Sequence, residues 1–359
     1  MTAHSLPDQT RAAMRIEVDT IRAIVCFILV LHHMVGISPD YGLELPWENT
    51  VSIVSHTTQD MRMPIFSFIS GMVFARATGL LPDARTVIRK KARRLLLPMA
   101  VVGSLFWLAR FVTGGDPMPY PMIFVTSFAH YWFLQASFLI MTAFVLLTCV
   151  FGGPHHKTVA LGLGALGILW WGFAILPFPM TNWFSIVNAV FLLPFFMSGY
   201  LLTQTPELRQ KLRTHPLARS VGAALLVIGL VIGWNIATHN LDLTGLPRRL
   251  IAIYLGFSAC FGLIMLRLSS GFLARIGAYS YAIYLFHVFF TALTTKLWHA
   301  TGQPIPLLAI VILGLMLGTG GPMILQNLIL RWPLAGAACL GLPLDKLRAR
   351  KLATQPSGA

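Results

Sequence analysis

The sequence predicts an all-α integral membrane protein of about ten transmembrane helices, with N- and C-termini both cytoplasmic, and three observations predict it. First, 56% of the residues are hydrophobic and only 11% are charged. The mean hydropathy of +0.72 is well above that of a water-soluble chain. Second, the apolar residues fall in runs long enough to cross a bilayer at about 20 residues per span. Third, the basic residues alternate between connections. With the N-terminus in the cytoplasm, Arg11, Arg15, the run from Arg85 to Arg94, Lys157, the stretch from Arg209 to Arg219, Arg267, Arg275 and the tail from Lys346 to Lys351 share one side. Arg110, Arg248, Arg249 and Lys296 are exceptions. The formal charge of +15 is therefore mainly topogenic; anionic lipid headgroups are its expected partners, and nucleic acid is not.

The spans are expected near 17–37, 61–79, 95–114, 130–151, 157–177, 184–203, 218–238, 248–267, 275–298 and 305–330. Residues 1–340 then form one membrane domain and 341–359 a basic cytoplasmic tail. A polar start, MTAHSLPDQTRAAMR, leads into EVDTIRAIVCFILVLHHMVG, from Glu17 to Gly36. No small-residue cleavage site follows this run, so it reads as a retained helix with no soluble domain before it. Arg22 and His33 are eleven residues apart. At ~100° per residue they share a face, separated by roughly 16 Å of helix rise. Asp19, one turn below Arg22, can pair with it. Ionisable groups inside a membrane cost several kcal/mol unless paired or hydrated, so Asp19, Arg22 and His33 on one helix read as a site.

From Ile37 to Asp60 the chain is polar enough for an outside loop or a short interfacial helix over the outer end of the first span, and it brings His56, Asp60 and then Arg62. Asp60 and Arg62 fit a rim ion pair or a pair that orients His33 and an acceptor. The second span, MPIFSFISGMVFA, carries Ser67, Ser70 and Gly71, small residues that let helices approach closely. The segment RTVIRKKARRLLLP would lie on the inner leaflet and set orientation. Its Arg89, Lys90 and Arg93 could also hold the phosphates of a nucleotide-like reagent. GGDPMPYPM is a turn-rich outside loop, and HYWFLQASFLI opens the next span with His130, Tyr131 and Trp132 in the manner of an interfacial belt.

Asn188 and Pro194 break the apolar run FSIVNAVFLLPFFMSGYLL, so the Asn needs a partner and the backbone a bend. In RIGAYSYAIYLFHVFF the polar stripe Ser280, Tyr284 and His287, with Tyr281 beside it, should face protein or a wet cavity. Tyr284 and His287 are candidates to line a reagent's path, although such groups more often hydrogen-bond between helices. The last span is notable only for Gly318, Gly320 and Gly321. Cys26, Cys149, Cys260 and Cys339 stand singly and read as packing residues, without disulfide or metal. No repeat and no matched pair of broken helices supports a transporter.

Four motifs in order carry a family resemblance. Asp19-x-x-Arg22-Ala23 followed by His33 resembles the arginine, ten residues, histidine motif of the membrane acyltransferase-3 family. Arg62-Met-Pro-x-Phe-x-x-x-Ser70-Gly71 is similar to its phenylalanine-rich serine-glycine helix. Tyr131-Trp132-Phe133-Leu134 and Ser280-Tyr281-x-x-Tyr284-Leu285-x-His287 follow. Ala23 stands where the family usually has glycine. D-x-I-R-A, with R-M-P before the serine-glycine helix, most resembles the branch that modifies bacterial glucans and exopolysaccharides, succinyltransferases among them.

The resemblance implies transfer of an acyl group, acetyl or succinyl, from cytosolic acyl-coenzyme A to a hydroxyl of a glycan or glycolipid at the bacterial inner membrane. Acyl-coenzyme A is then a co-substrate, and nothing is bound permanently. His33 matches the catalytic histidine and Arg22 the motif arginine, with Asp19 as its partner; His32 is ~100° off that face. The pantetheine arm is of similar length to the ~16 Å between Arg22 and His33, so phosphates near Arg22 let the thioester reach His33. Arg89, Lys90, Arg93, Tyr284 and His287 complete the expected donor side, and Asp60, Arg62 and Trp132 the acceptor or orienting side.

A rival reading is a transporter or flippase with a buried Asp-Arg-His relay, which coenzyme A dependence separates from an acyltransferase. The other large family of membrane-bound acyltransferases does not pair an arginine and a histidine in its first helix. An acyl-histidine intermediate or direct transfer, and a monomer or a homo-oligomer, both stay open.

Overall fold

The computed structural model describes residues 8–37, 41–78, 83–115 and 118–353, and these are helical apart from turns, loops and one isolated bridge between Thr126 and Trp183. The first part of the polar start, Asp116 and Pro117 in the outside loop, and the end of the basic tail at 354–359 lie outside the described residues. In chain order the helices are α1 (Asp8–Val35), α2 (Thr50–Thr57), α3 (Gln59–Thr78), α4 (Ala84–Val112), α5 (Met122–Val125), α6 (Trp132–Phe151), α7 (His156–Phe173), α8 (Ile186–Gln204), α9 (Pro206–Thr214), α10 (Ala218–Ala237), α11 (Gly245–Leu266), α12 (Gly271–Gly277), α13 (Ser280–Ala300), α14 (Leu307–Ile329), α15 (Pro333–Leu340) and α16 (Leu344–Ala353).

Local chemistry sets several of these boundaries. α1 stops at Gly36, whose φ of 101° a side chain would resist, and its N–H returns to the His32 carbonyl at 2.8 Å. Asn49 caps α2 by accepting from the Val51 N–H at 2.9 Å. Asp83 caps α4 by accepting from the N–H groups of Arg85 and Thr86. The Thr86 hydroxyl, with those N–H groups, holds the Asp83 carboxyl below its usual pKa.

Each expected span is occupied by a helix. Among the described residues seven helices are long and apolar enough to cross a membrane, or eight if α12 and α13, bent by 72°, count as one span. The segments expected at 61–79 and 157–177 are α3 and α7, which do not reach that hydropathy. α3 carries Asp60, Arg62 and Arg76, and α7 has 18 residues beginning with His156 and Lys157. The stretch before α3 contains the short α2 of the interfacial-helix expectation.

The chain divides into two compact units. The first is built from the described residues of Met1–Phe66, Glu207–Thr244 and Tyr254–Met323. Here α1 packs on α12, α13 and α2, and α10 packs on α2. Glycine permits the closest approach: a Cβ on Gly277 would run into the Asp19 carbonyl, and one on Gly318 would meet the Val30 side chain. At the last turn of α1, Met34 joins Leu43, Trp298, Ile310 and Val311 in a buried apolar cluster.

The second unit is Ser67–Pro206, Gly245–Ile253 and the described part of Ile324–Ala359. α7 and α6 pack on α8, α4 packs on α6, and α15 packs on α4. α3 and α8 cross at reciprocal glycines: a Cβ on Gly71 would strike the Phe196 carbonyl, and one on Gly199 the Phe68 carbonyl. Ser67 Oγ donates to the Leu192 carbonyl at 3.1 Å, so the small-residue face does what its composition predicts. Asn188 finds its partner in Asn182, whose Nδ2 donates to its Oδ1.

Candidate active site

The N-terminal half of α1 is held by charge. Arg22 Nη1 donates to Asp19 Oδ1 at 2.7 Å, the i to i+3 pairing that the sequence allows. Arg15 Nε stands 3.7 Å from the other carboxylate oxygen. Two residues earlier, Glu17 is clamped by Arg213 of α9, both guanidinium Nη atoms reaching its two oxygens, with Arg267 Nε at 4.0 Å. Glu17 is buried, so this fork compensates a charge that would be costly alone. Thr20 Oγ1 accepts from the Ser270 N–H at 3.1 Å and ties the same turn to the start of α12. No local pattern signals the Glu17–Arg213 contact, because its two residues lie 196 apart in the chain.

The other end of α1 is an imidazole assembly. His33 Nδ1 lies 3.0 Å from the Leu29 carbonyl, and His287 Nδ1 lies 2.8 Å from the Ile283 carbonyl and 3.0 Å from that of Tyr284. A carbonyl can only accept, so both Nδ1 atoms carry the proton. His287 Nε2 then offers a lone pair, and it stands 3.2 Å from His33 Nδ1. The His33 N–H is thus shared between Leu29 O and His287, which fixes the ring and leaves Nε2 as its basic nitrogen. The ring centroids are 4.7 Å apart at 73°. His287 is fully buried, as the polar stripe of its helix implied, but it touches His33 itself and not merely the path of a reagent.

His32, set aside by its position off the face of Arg22 and His33, belongs to the same assembly. Its ring centroid is 5.2 Å from that of His33 and 5.9 Å from that of His56 at the end of α2. Arg62, in the second turn of α3, acts electrostatically on both His32 and His33. Arg62 is 5% exposed, and the half-buried Asp60 two residues earlier acts electrostatically on it. Among the described residues, His32 Nδ1, His56 Nε2 and Arg62 Nη1 are buried without a hydrogen-bond partner. Tyr284 is buried, with its ring 6.3 Å from that of Phe66. No group of three or more His, Cys, Asp or Glu among the described residues is arranged to hold a metal ion.

The remaining sequence candidates belong to the second unit. In the basic stretch of α4, Lys91 Nζ lies 4.9 Å over the Phe74 ring, and Arg94 donates to the Leu340 carbonyl. Arg89, Lys90 and Arg93 are exposed, as is Arg85, and Arg89 lines an open groove with Ala84, Arg85, Ile88 and Leu146. His130 and Tyr131 correct the expected belt: both are buried, against Phe106 and Phe128, instead of facing an interface. Aromatic residues at a span's start look alike in sequence whether lipid or protein covers them. Trp132 is half-buried at the first position of α6.

A family model described as an acyltransferase domain matches residues 15–327. The chain belongs to the acyltransferase-3 family. Every candidate residue from Asp19 to His287 lies inside the matched span of this acyltransferase, and its apolar helices make it a multi-pass membrane protein. No curated protein and no solved structure compared with the acyltransferase matches it.

Proposed function

We propose that this acyltransferase moves an acetyl or succinyl group from cytosolic acyl-coenzyme A to a hydroxyl of a bacterial polysaccharide, glucan or glycolipid precursor at the inner membrane. The observation that carries the reading is the hydrogen-bonded pair His33–His287, which holds one imidazole in a fixed orientation with its Nδ1–H already committed. The acceptor oxygen attacks the thioester carbonyl carbon as its proton passes to His33 Nε2. His287 Nε2 accepts from the imidazolium that forms, as a neutral counterpart of the orienting acid in a hydrolase triad. The tetrahedral species then expels the coenzyme A sulfur, which takes the proton from His33.

Arg22, kept in place by Asp19, is the proposed anchor of the donor, with Arg89, Lys90 and Arg93 as the exposed cations available to its phosphates and Tyr284 lining its path. Asp60, Arg62 and Trp132 are proposed on the acceptor side. The full proposal has ten spans, both termini in the cytoplasm, a membrane domain over residues 1–340 and a basic tail over 341–359 against anionic lipid.

The test is mass spectrometry of the producing cell's surface and periplasmic glycans in a deletion strain, complemented with wild type or His33→Ala at matched membrane levels. Loss of an acyl mass in the deletion, restored by wild type and not by His33→Ala, is expected and identifies the acyl group. Acylation unchanged throughout would sink the reading and favour a transporter.

A further inference from the structure

Three buried polar atoms in the cluster around His32 have no hydrogen-bond partner among the described residues, and their hydrogen-bonding characters differ. Arg62 Nη1 can only donate. His56 Nδ1 lies 2.8 Å from the Ser52 carbonyl and therefore carries the proton, so its buried Nε2 can only accept. His32 Nδ1 takes either role. Burial of such groups unpaired is costly, so the cluster is suited to be completed by something that enters it.

The completing group must accept from Arg62 and donate to His56. A hydroxyl does both. An ionised carboxylate or phosphate satisfies the guanidinium but meets the His56 lone pair with another lone pair, so an anion fits poorly. His56 and Arg62 flank Thr58, where α2 gives way to α3, and the His32 ring stands between those of His56 and His33, at 5.9 and 5.2 Å. On the other side of His56 stands Trp47, its ring centroid 4.9 Å away at 62°, with the His239 ring 6.4 Å further along. Trp47 is 38% exposed in the turn before α2, so its indole offers the apolar C–H face of a sugar a surface to cover.

We infer that His32, His56 and Arg62, with Trp47 at their edge, form the subsite that binds the acceptor sugar through neighbouring hydroxyls beside His33. This rests on the acyl-transfer reading and adds the residues that recognise the acceptor. Paired donors and acceptors select a polyol over an apolar or purely anionic molecule.

The experiment uses the full chain purified into lipid nanodiscs, with acetyl- or succinyl-coenzyme A, whichever wild type consumes. The acceptor probe is the producing cell's own glycan stripped of acyl groups with mild base. Initial rates of acyl incorporation against glycan concentration are compared for wild type, Trp47→Ala, Trp47→Phe, His56→Phe and, as an exposed-tryptophan control, Trp234→Ala. Trp47→Ala and His56→Phe are each expected to raise the glycan KM about tenfold or more with kcat within about threefold, while Trp47→Phe stays near wild type. A glycan KM unchanged in Trp47→Ala and His56→Phe overturns the inference and leaves the unpartnered atoms to water. A fall in kcat alone also overturns it, by moving these residues into the chemistry. If His56→Phe does not fold, the tryptophan pair decides by itself. Wild type that transfers nothing to this glycan overturns the acyl-transfer reading, and the subsite with it.

Discussion

The two ends of α1 are held in opposite ways. At one end the described charges have protein partners: Asp19 has Arg22 and Arg15, and Glu17 has Arg213 and Arg267. At the other end His33 is oriented by Leu29 and His287, but its neighbours His32, His56 and Arg62 keep buried atoms that no group among the described residues satisfies. The first arrangement fixes a helix, and the second leaves a place for a molecule. A polar cluster inside a membrane protein is therefore read less by how many charges it holds than by which of them are left over.

Substitutions at five positions test this contrast. His33→Ala removes the oriented imidazole, and transfer is expected to fall by on the order of a thousandfold or more, measured as acyl incorporation per membrane-embedded protein. His287→Phe keeps the ring volume and deletes the acceptor for the His33 N–H. A loss of about a hundredfold in kcat with the donor KM unchanged is expected. If instead the donor KM alone rises, His287 lines the donor path as its sequence position first implied.

Arg22→Ala acts at the paired end. It is expected to raise the donor KM by about ten- to a hundredfold, partly recovered in Arg22→Lys, in a titration with acyl-coenzyme A. An unaltered donor KM would reduce the Asp19–Arg22 pair to a structural clasp. Smallest is Gly277→Ala, whose new Cβ presses on the Asp19 carbonyl. A stability loss of about 1–3 kcal/mol is expected, seen as a lowered Tm in detergent. Gly320→Ala, where a Cβ meets nothing within 4 Å, should leave Tm the same or slightly higher.

Much of the helical framework was legible because a bilayer demands long apolar runs, and the Asp19–Arg22 pair was legible because its partners are three residues apart. The pairing of His33 with His287 was not, since 254 residues separate them and no local pattern encodes which helices meet. The fork on Glu17 spans 196 residues and was missed for the same reason. His32 was set aside by a helical-wheel argument that sorts faces correctly but ignores that a neighbour ~100° away can still line the same cluster. His130 and Tyr131 illustrate a different limit, because an aromatic cluster does not say whether lipid or protein surrounds it.

The bend between α12 and α13 has a consequence for tolerance to length changes. Its two arms touch α1 at both ends, Gly277 against Asp19 and His287 against His33, ten residues apart on the bent pair and fourteen apart on α1. α1 is one uninterrupted rod and cannot absorb a mismatch. Inserting or deleting a single residue at Ala278 or Tyr279 turns all of α13 by ~100° while α12 keeps its seat, so the corner accepts side-chain exchange but not a change in residue count.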